Sequence, residues 1–389
     1  MIATDRPASM HLSTSRPWTV VQMIPALHAG GAERSTLEVA RTLVAAGHRS
    51  IVVSAGGRMV DRLEAEGSRH VTLDIGRKSL LTLSKVAPLR RLLQEVRPDI
   101  VHVRSRVPAW LTRWALRGQD PAPHLVTTVH GMNTPGAYSA VMLRGERIIV
   151  VSQSVRDFVL ANYPGVDAGR IRIVPRGVDV ETFPYGYRPD DAWVRQFFAG
   201  FPQLAGGAPL LTLPGRGTRL KGHRDGIELL AALTARGVDA RLLLMGVIEP
   251  GREAYVEELR ALVTERGLDD KVVMTPTRDD VRDVFASSAL VLQLSNRPET
   301  FGRTVVEALA LCRPVLGYAH GGVGELLAEL YPAGRVPPGD LERLTERAAE
   351  LLRLAPPVAP LQRYRLADMQ QGVLGVYTEL LRQPARAAS

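Results

Sequence analysis

A chain of 389 residues, 45% hydrophobic and 23% charged, is too long for one ordinary core and has the make-up of a folded protein of two domains. Its one cysteine, Cys312, excludes an internal disulfide, and no run of 18 apolar residues is present to cross a bilayer as a helix. The net charge of +9 is unevenly placed: ten Lys/Arg and two acids lie between Arg77 and Arg117, a patch suited to phosphate-rich partners.

Residues 1–17 mix Ser, Thr, Arg and Asp without an apolar stretch, which reads as a disordered leader and not as a signal peptide. From there short β-branched runs alternate with amphipathic stretches. Thr19–Ile24, Ser50–Ser54, His70–Leu73, Ile100–Val103, His124–Val129, Ile148–Val151 and Ile171–Val174 read as buried strands, with helices such as 32–46 and 86–96 between them. This alternation predicts a parallel sheet with crossover helices over residues 18–185. The turn-rich text around Phe183–Pro189 and Gly206-Gly207 predicts a linker region over 186–208. Alternation then restarts over 209–365. Strands are expected at 210–213, 240–245, 271–274, 290–294 and 314–317, and helices at 224–235, 254–266, 280–286, 304–311 and 340–354. The segment 366–389 carries a terminal helix over Leu366–Leu381. Two such α/β domains place a ligand cleft outside the C-terminal ends of their strands.

The residues at those strand ends carry the chemistry. After the first strand, Gly30-Gly31 allows a sharp turn and a close ligand approach before a helix begins. The fourth strand ends in Arg104-Ser105-Arg106, two guanidiniums suited to a phosphorylated ligand. The fifth ends in His130-Gly131, a hydrogen-bonding side chain at the start of a turn. The second domain opens with a strand leading into Gly215-Arg216, then Lys221-Gly222, two cations five positions apart. Further on, Glu299 and Glu307 stand eight positions apart in Glu299-Thr300-Phe301-Gly302-Arg303-Thr304-Val305-Val306-Glu307. Val305, Val306, Leu309 and Ala310 recur at helical spacing, so the amides of Gly302, Arg303 and Thr304 lie at a helix start and favour an anion. Cys312 follows an apolar run and reads as a core thiol in a reducing compartment.

In this order the motifs resemble those of the retaining GT-B glycosyltransferases, in particular glycosyltransferase family 4, from about Val20 to Asp340. Glu299 to Glu307 is similar to its E-x7-E motif, Arg216 and Lys221 to its diphosphate-binding cations, Gly30-Gly31 to its first glycine loop, and His130-Gly131 to its strand-end His-Gly. The resemblance implies two Rossmann-like domains facing a central cleft, with a C-terminal helix crossing back to the first domain. It also implies transfer of a hexose from a nucleotide-diphosphate sugar, such as a UDP-sugar, to a saccharide acceptor. Arg216 and Lys221 would hold the diphosphate with the Phe301, Gly302, Arg303 and Thr304 segment. Glu307 would bind ribose, and Glu299 and His130 would act at the sugar. Arg104 and Arg106 would contact the acceptor. Two departures stand out: Arg176 replaces a common Asn in Val174-Pro175-Arg176-Gly177-Val178-Asp179, and Met245-Gly246 lacks the usual Asp-Gly after it.

Within the family, residues 104–106 and 295–325 are similar to proteobacterial lipopolysaccharide-core transferases. The acceptor implied is a lipopolysaccharide-core or other lipid-linked saccharide, met by a cytoplasmic enzyme at the inner face of an anionic membrane. No Asp-x-Asp occurs, so no metal and no other cofactor is expected. The 5% aromatic content and the lack of a nucleic-acid module argue against nucleic acid as the partner of the basic patch. The missing G-x-G-x-x-G argues against a dinucleotide oxidoreductase. Two rivals remain: a synthase with a soluble sugar acceptor, and a non-catalytic α/β protein that binds polyanions or lipid.

Overall fold

The computed structural model describes residues 16–28 and 30–382, so the leader expected over 1–17 and the end of the 366–389 segment lie almost wholly or partly outside the described residues. The strands are β1 (Thr19–Met23), β2 (Arg49–Ser54), β3 (Arg69–Thr72), β4 (Ile100–Val103), β5 (His124–Val129), β6 (Arg147–Val150) and β7 (Ile171–Ile173), then β8 (Leu210–Pro214), β9 (Arg241–Ile248), β10 (Val272–Pro276), β11 (Leu290–Gln293), β12 (Val315–Tyr318) and β13 (Arg335–Val336). The helices are α1 (Gly31–Ala45), α2 (Val60–Ala65), α3 (Val86–Val96), α4 (Arg106–Ala115), α5 (Gln153–Asn162), α6 (Asp191–Gly200), α7 (His223–Ala235), α8 (Glu253–Glu265), α9 (Val281–Ser287), α10 (Arg303–Ala310), α11 (Gly321–Leu330), α12 (Leu341–Leu354) and α13 (Leu366–Leu381).

The strands form two sheets, one ordered β3-β2-β1-β4-β5-β6-β7 and one β10-β9-β8-β11-β12-β13. The strand pairs are parallel, as apolar strands with crossover helices require. Each sheet reverses its strand order once, between β1 and β4 in the first and between β8 and β11 in the second. At such a reversal successive crossovers leave on opposite faces, and a crevice opens beyond the strand ends. The loops after β1, β4, β8 and β11 therefore carry the candidate residues because of topology.

By contacts the chain divides into two compact units, one holding residues up to Thr127 together with those from Tyr377 onward, the other Thr128–Val376. In the first unit, Ile24, Leu27, Leu37, Ala40, Val52 and Leu63 form a core between sheet and helices. Tyr377, near the end of α13, is buried in this unit, and its hydroxyl lies 2.6 Å from His102 Nδ1. In the second unit, β8 buries Leu210, Leu211 and Leu213, and β11 buries Leu290, Val291 and Leu292. Burying a side chain of this kind contributes about 1.5–3 kcal/mol.

The segment expected to be a linker contains α6. Asp190 caps it by accepting from Trp193 N–H at 2.7 Å, and the Trp193 ring stacks on buried Phe197 at 4.8 Å. The Pro and Gly residues before it mark where the helix starts, not the absence of one. α4 likewise tolerates Pro108 because it stands in the first turn, where its missing N–H costs no hydrogen bond.

Candidate active site

The loop from Gly215 to Gly222 leaves β8, and the loop from Leu294 to Gly302 leaves β11, which pairs directly with β8. Glycines let the first loop fold this tightly. A Cβ at Gly222, where φ is +72°, would lie 1.9 Å from the Leu294 carbonyl oxygen, and one at Gly217 would lie 2.3 Å from the Val247 carbonyl oxygen. Asn296 N–H donates to the Leu220 carbonyl at 2.8 Å and Asn296 Nδ2 to the Arg219 carbonyl at 3.1 Å, so the two loops are bonded to each other.

This brings Lys221 to Glu299, Nζ to Oε1, at 2.5 Å. Both side chains are largely shielded, at 27% and 21% exposure, so the pair is stronger than a surface ion pair. Glu299 Oε1 also accepts from Ser295 Oγ, and Oε2 accepts from Gln293 Nε2 at 3.3 Å. Gln293 Nε2 lies 3.0 Å from Thr304 Oγ1, which links the carboxylate to the first turn of α10. The Glu299 backbone is fixed as well: its carbonyl accepts from Gly322 N–H at 2.8 Å, and His320 Nε2 donates to the Ser295 carbonyl at 2.7 Å. Arg216, on the same loop as Lys221, is exposed, with no side-chain partner among the described residues.

α10 begins after Gly302, whose φ of +102° suits glycine, and no side chain caps its N-terminus. A Cβ at Gly302 would come 2.8 Å from Val323 Cγ2. Phe301 is buried beside Tyr364, at 5.9 Å between ring centroids. Glu307, 5% exposed, lies one turn along from Arg303, with Arg303 Nε 3.4 Å from its Oε1. Arg303 Nη2 also donates to the Gly177 carbonyl at 3.2 Å.

His130 belongs to the same compact unit. Its carbonyl accepts from Thr300 Oγ1 at 2.9 Å, and its Nδ1 accepts from Arg176 Nη2. Thus Lys221, Glu299, Phe301, Gly302, Arg303, Thr304, Glu307 and His130 are connected by neighbouring loops of one unit.

The other candidates belong to the first unit. Gly30, φ +137°, precedes α1 without a side-chain cap, and a Cβ on exposed Gly31 would meet open space. Arg106 is the first residue of α4. Arg104, read from the sequence as a cation at a cleft edge, is instead 4% exposed. Its Nε and Nη2 donate to Gln22 Oε1 at 3.0 and 2.6 Å. Burial lowers its pKa to about 10, against the opposing effects of Tyr377 and Glu38. The guanidinium therefore holds the inside of this unit together.

Sequence reasoning passed over Gln293 and Ser295, and it read His320 to Glu325 only as a helix entry similar to the family's G-G-x-x-E segment or a tight turn, with no role for either residue. Gln293 had a visible signal, a polar residue inside the apolar run of β11 that needs a buried partner. Glu325, one turn into α11, accepts from Gln153 N–H at 2.9 Å and from Ser154 N–H at 2.5 Å, so it occupies the electropositive start of α5. Only the folded chain reveals that pairing, across 171 positions.

Among the described residues, no cluster of three or more His, Cys, Asp or Glu is arranged to hold a metal ion. The donors on these loops, two cations and an uncapped helix start, suit an anion.

The chain is similar to known proteins in both halves. Residues 29–182 match the family described as Glycosyltransferase Family 4, and residues 195–364 match Glycosyl transferases group 1. The D-inositol 3-phosphate glycosyltransferase of Acidothermus cellulolyticus is 31% identical over 245 residues, which cover 59% of this chain and 52% of that protein. The 2-deoxystreptamine N-acetyl-D-glucosaminyltransferase of Streptomyces fradiae is 26% identical over 289 residues, 69% of this chain and 65% of that protein. The matched stretches thus span less than two thirds of each relative. The crystal structure of a glycosyltransferase from Rickettsia africae superposes with a TM-score of 0.84 at 25% identity, covering 95% of this chain and all of that one. With both family matches in chain order on its two parallel-sheet domains, the chain belongs to glycosyltransferase family 4 and has the GT-B fold.

Proposed function

We propose that this chain transfers a hexose, with retention, from a nucleotide-diphosphate sugar of the UDP class to a lipopolysaccharide-core or other lipid-linked saccharide. The Lys221–Glu299 pair beside exposed Arg216 and the uncapped start of α10 is the observation that carries the transferase reading. As the glycosidic bond breaks, negative charge grows on the diphosphate. Arg216, Lys221 and the first amides of α10 are fixed charges and dipoles that stabilise it without a metal. Glu307 serves the ribose. Glu299 serves as a hydrogen-bond acceptor for sugar hydroxyls. Both of its oxygens already accept hydrogen bonds, which suits positioning and not nucleophilic attack. The leaving phosphate then takes the acceptor's proton in a front-face reaction.

The UDP donor and the lipid-linked acceptor rest on the sequence resemblance. The first unit adds support for a membrane-bound acceptor. Leu81 and Leu83 are 82% and 45% exposed, and Arg77, Lys78 and Arg91 are exposed nearby in sequence. No helix among the described residues is long and apolar enough to cross a membrane, so this contact would be peripheral. A second reading, a soluble acceptor such as a phosphorylated polyol, is favoured by the likeness to the Acidothermus relative.

The test is thermal unfolding and turnover with UDP-, GDP-, ADP- and CMP-linked sugars in the presence of a chelator. Stabilisation by one nucleotide class is expected. Turnover should require a lipid-linked acceptor and fall at least 100-fold in Glu299→Gln, at about 1.4 kcal/mol per tenfold. Stabilisation by none of the donors would sink the transferase reading. Turnover on soluble acceptors alone would leave it standing and overturn the lipid-linked one.

A further inference from the structure

Arg176 Nη2 donates to His130 Nδ1. A guanidinium has donors only and keeps its proton at any physiological pH. The Nδ1 it touches must therefore present a lone pair. In a neutral imidazole the single proton then sits on Nε2. An imidazolium would turn an N–H toward a cation, and the adjacent like charge opposes that form. The backbone of His130 is held independently, by Thr300 Oγ1 on its carbonyl, and Arg303 holds the Gly177 carbonyl one residue beyond Arg176. Both ends of the Arg176–His130 contact are thus anchored to the loop and helix that carry Glu299 and Glu307.

We propose that Arg176 is a positioning residue that fixes His130 as the neutral Nε2–H tautomer. His130 is then a hydrogen-bond donor to an oxygen of the substrate and not a proton acceptor. This rests on the transferase reading for its consequence in catalysis, but the tautomer itself does not.

The test is long-range 1H–15N correlation of the ring nitrogens in protein labelled at histidine, near neutral pH and without donor, with His130 assigned by loss of its signals in His130→Gln. One pyridine-type Nδ1 and one pyrrole-type Nε2 are expected in the wild type. In Arg176→Met both signals should move toward the averaged positions of exchanging tautomers, and kcat should fall about 10-fold, as for a misdirected donor at about 1.4 kcal/mol. A protonated Nδ1 in the wild-type protein would overturn the proposal. So would an unchanged His130 signature in Arg176→Met. If that variant does not fold, Arg176→Ala is read in the same way, and an unchanged His130 signature there overturns the proposal equally. Complete absence of sugar transfer with a correct tautomer would fault the transferase reading and leave the tautomer assignment intact.

Discussion

Arg216 and Lys221 come from one short loop, yet the fold treats them differently. Lys221 is shielded and paired with Glu299, while Arg216 reaches solvent. An exposed guanidinium contributes little to folding, so its replacement tests the proposed ligand role without disturbing the fold. A charge-assisted hydrogen bond to phosphate is worth about 1.5–3 kcal/mol, so Arg216→Ala should lower kcat/KM for the donor about 10- to 100-fold. Its unfolding midpoint without ligand should stay at the wild-type value. Steady-state kinetics with calorimetry checks both, and an unchanged kcat/KM removes Arg216 from the diphosphate site. At this scale the sequence shows which residue types stand on the loops and at the helix start, as for Lys221, Glu299 and Glu307, while the Lys221–Glu299 pairing comes from the fold. The sequence is not readable where the partner lies far along the chain. Nothing local to Arg104 says that Gln22 will take its guanidinium, and nothing near Glu325 says that it will close the start of α5.

The elements were legible in proportion to how far their own pattern decides them. The buried strands follow from runs such as Leu210–Leu213, because a parallel strand covered on both faces must be apolar throughout. α6 was missed because its stability comes from an aspartate cap and an aromatic stack. β9 runs past its expected end because Gly246, at φ +87°, lets the strand continue through an irregular register against β10. α7 offers a test of how an element supports the site. Its first residue, His223, is buried under the Gly215–Gly222 loop, and burial, with the charge of Lys221 adding to it, lowers its pKa from 6.5 to about 4. The fold accepts only the neutral ring, while the unfolded chain binds the proton more readily. His223 therefore gives its full stability above about pH 6.5 and loses it as pH falls from there through about 4. The full window corresponds to about 3 kcal/mol. In His223→Gln the part of the acid-side loss due to this group should vanish when unfolding free energies are measured across that range. An identical pH slope in variant and wild type would refute this account.

For the whole molecule, the excess positive charge and the exposed leucines at 81 and 83 concern association. Sedimentation with vesicles of anionic phospholipid should show binding that weakens with salt. Each lysine or arginine near such a surface is worth about 1 kcal/mol, so Lys78→Ala should weaken it about fivefold. Replacing Leu81 and Leu83 by Ser should weaken it further at any salt. Equal binding to neutral and anionic vesicles, or none, would argue against a membrane-bound acceptor.

The sequence by itself determined the alternation of strands and helices, and with it two parallel sheets. It also determined which residue types stand at their ends, because periodicity and turn chemistry act over a few residues. Tertiary structure alone decided which of those ends meet. Lys221 reaches Glu299 across 78 positions because the crossovers set β11 beside β8. The same folding turned Arg104 inward and put Arg176 on His130, since a side chain's partner depends on which strands become neighbours, and no local pattern encodes that.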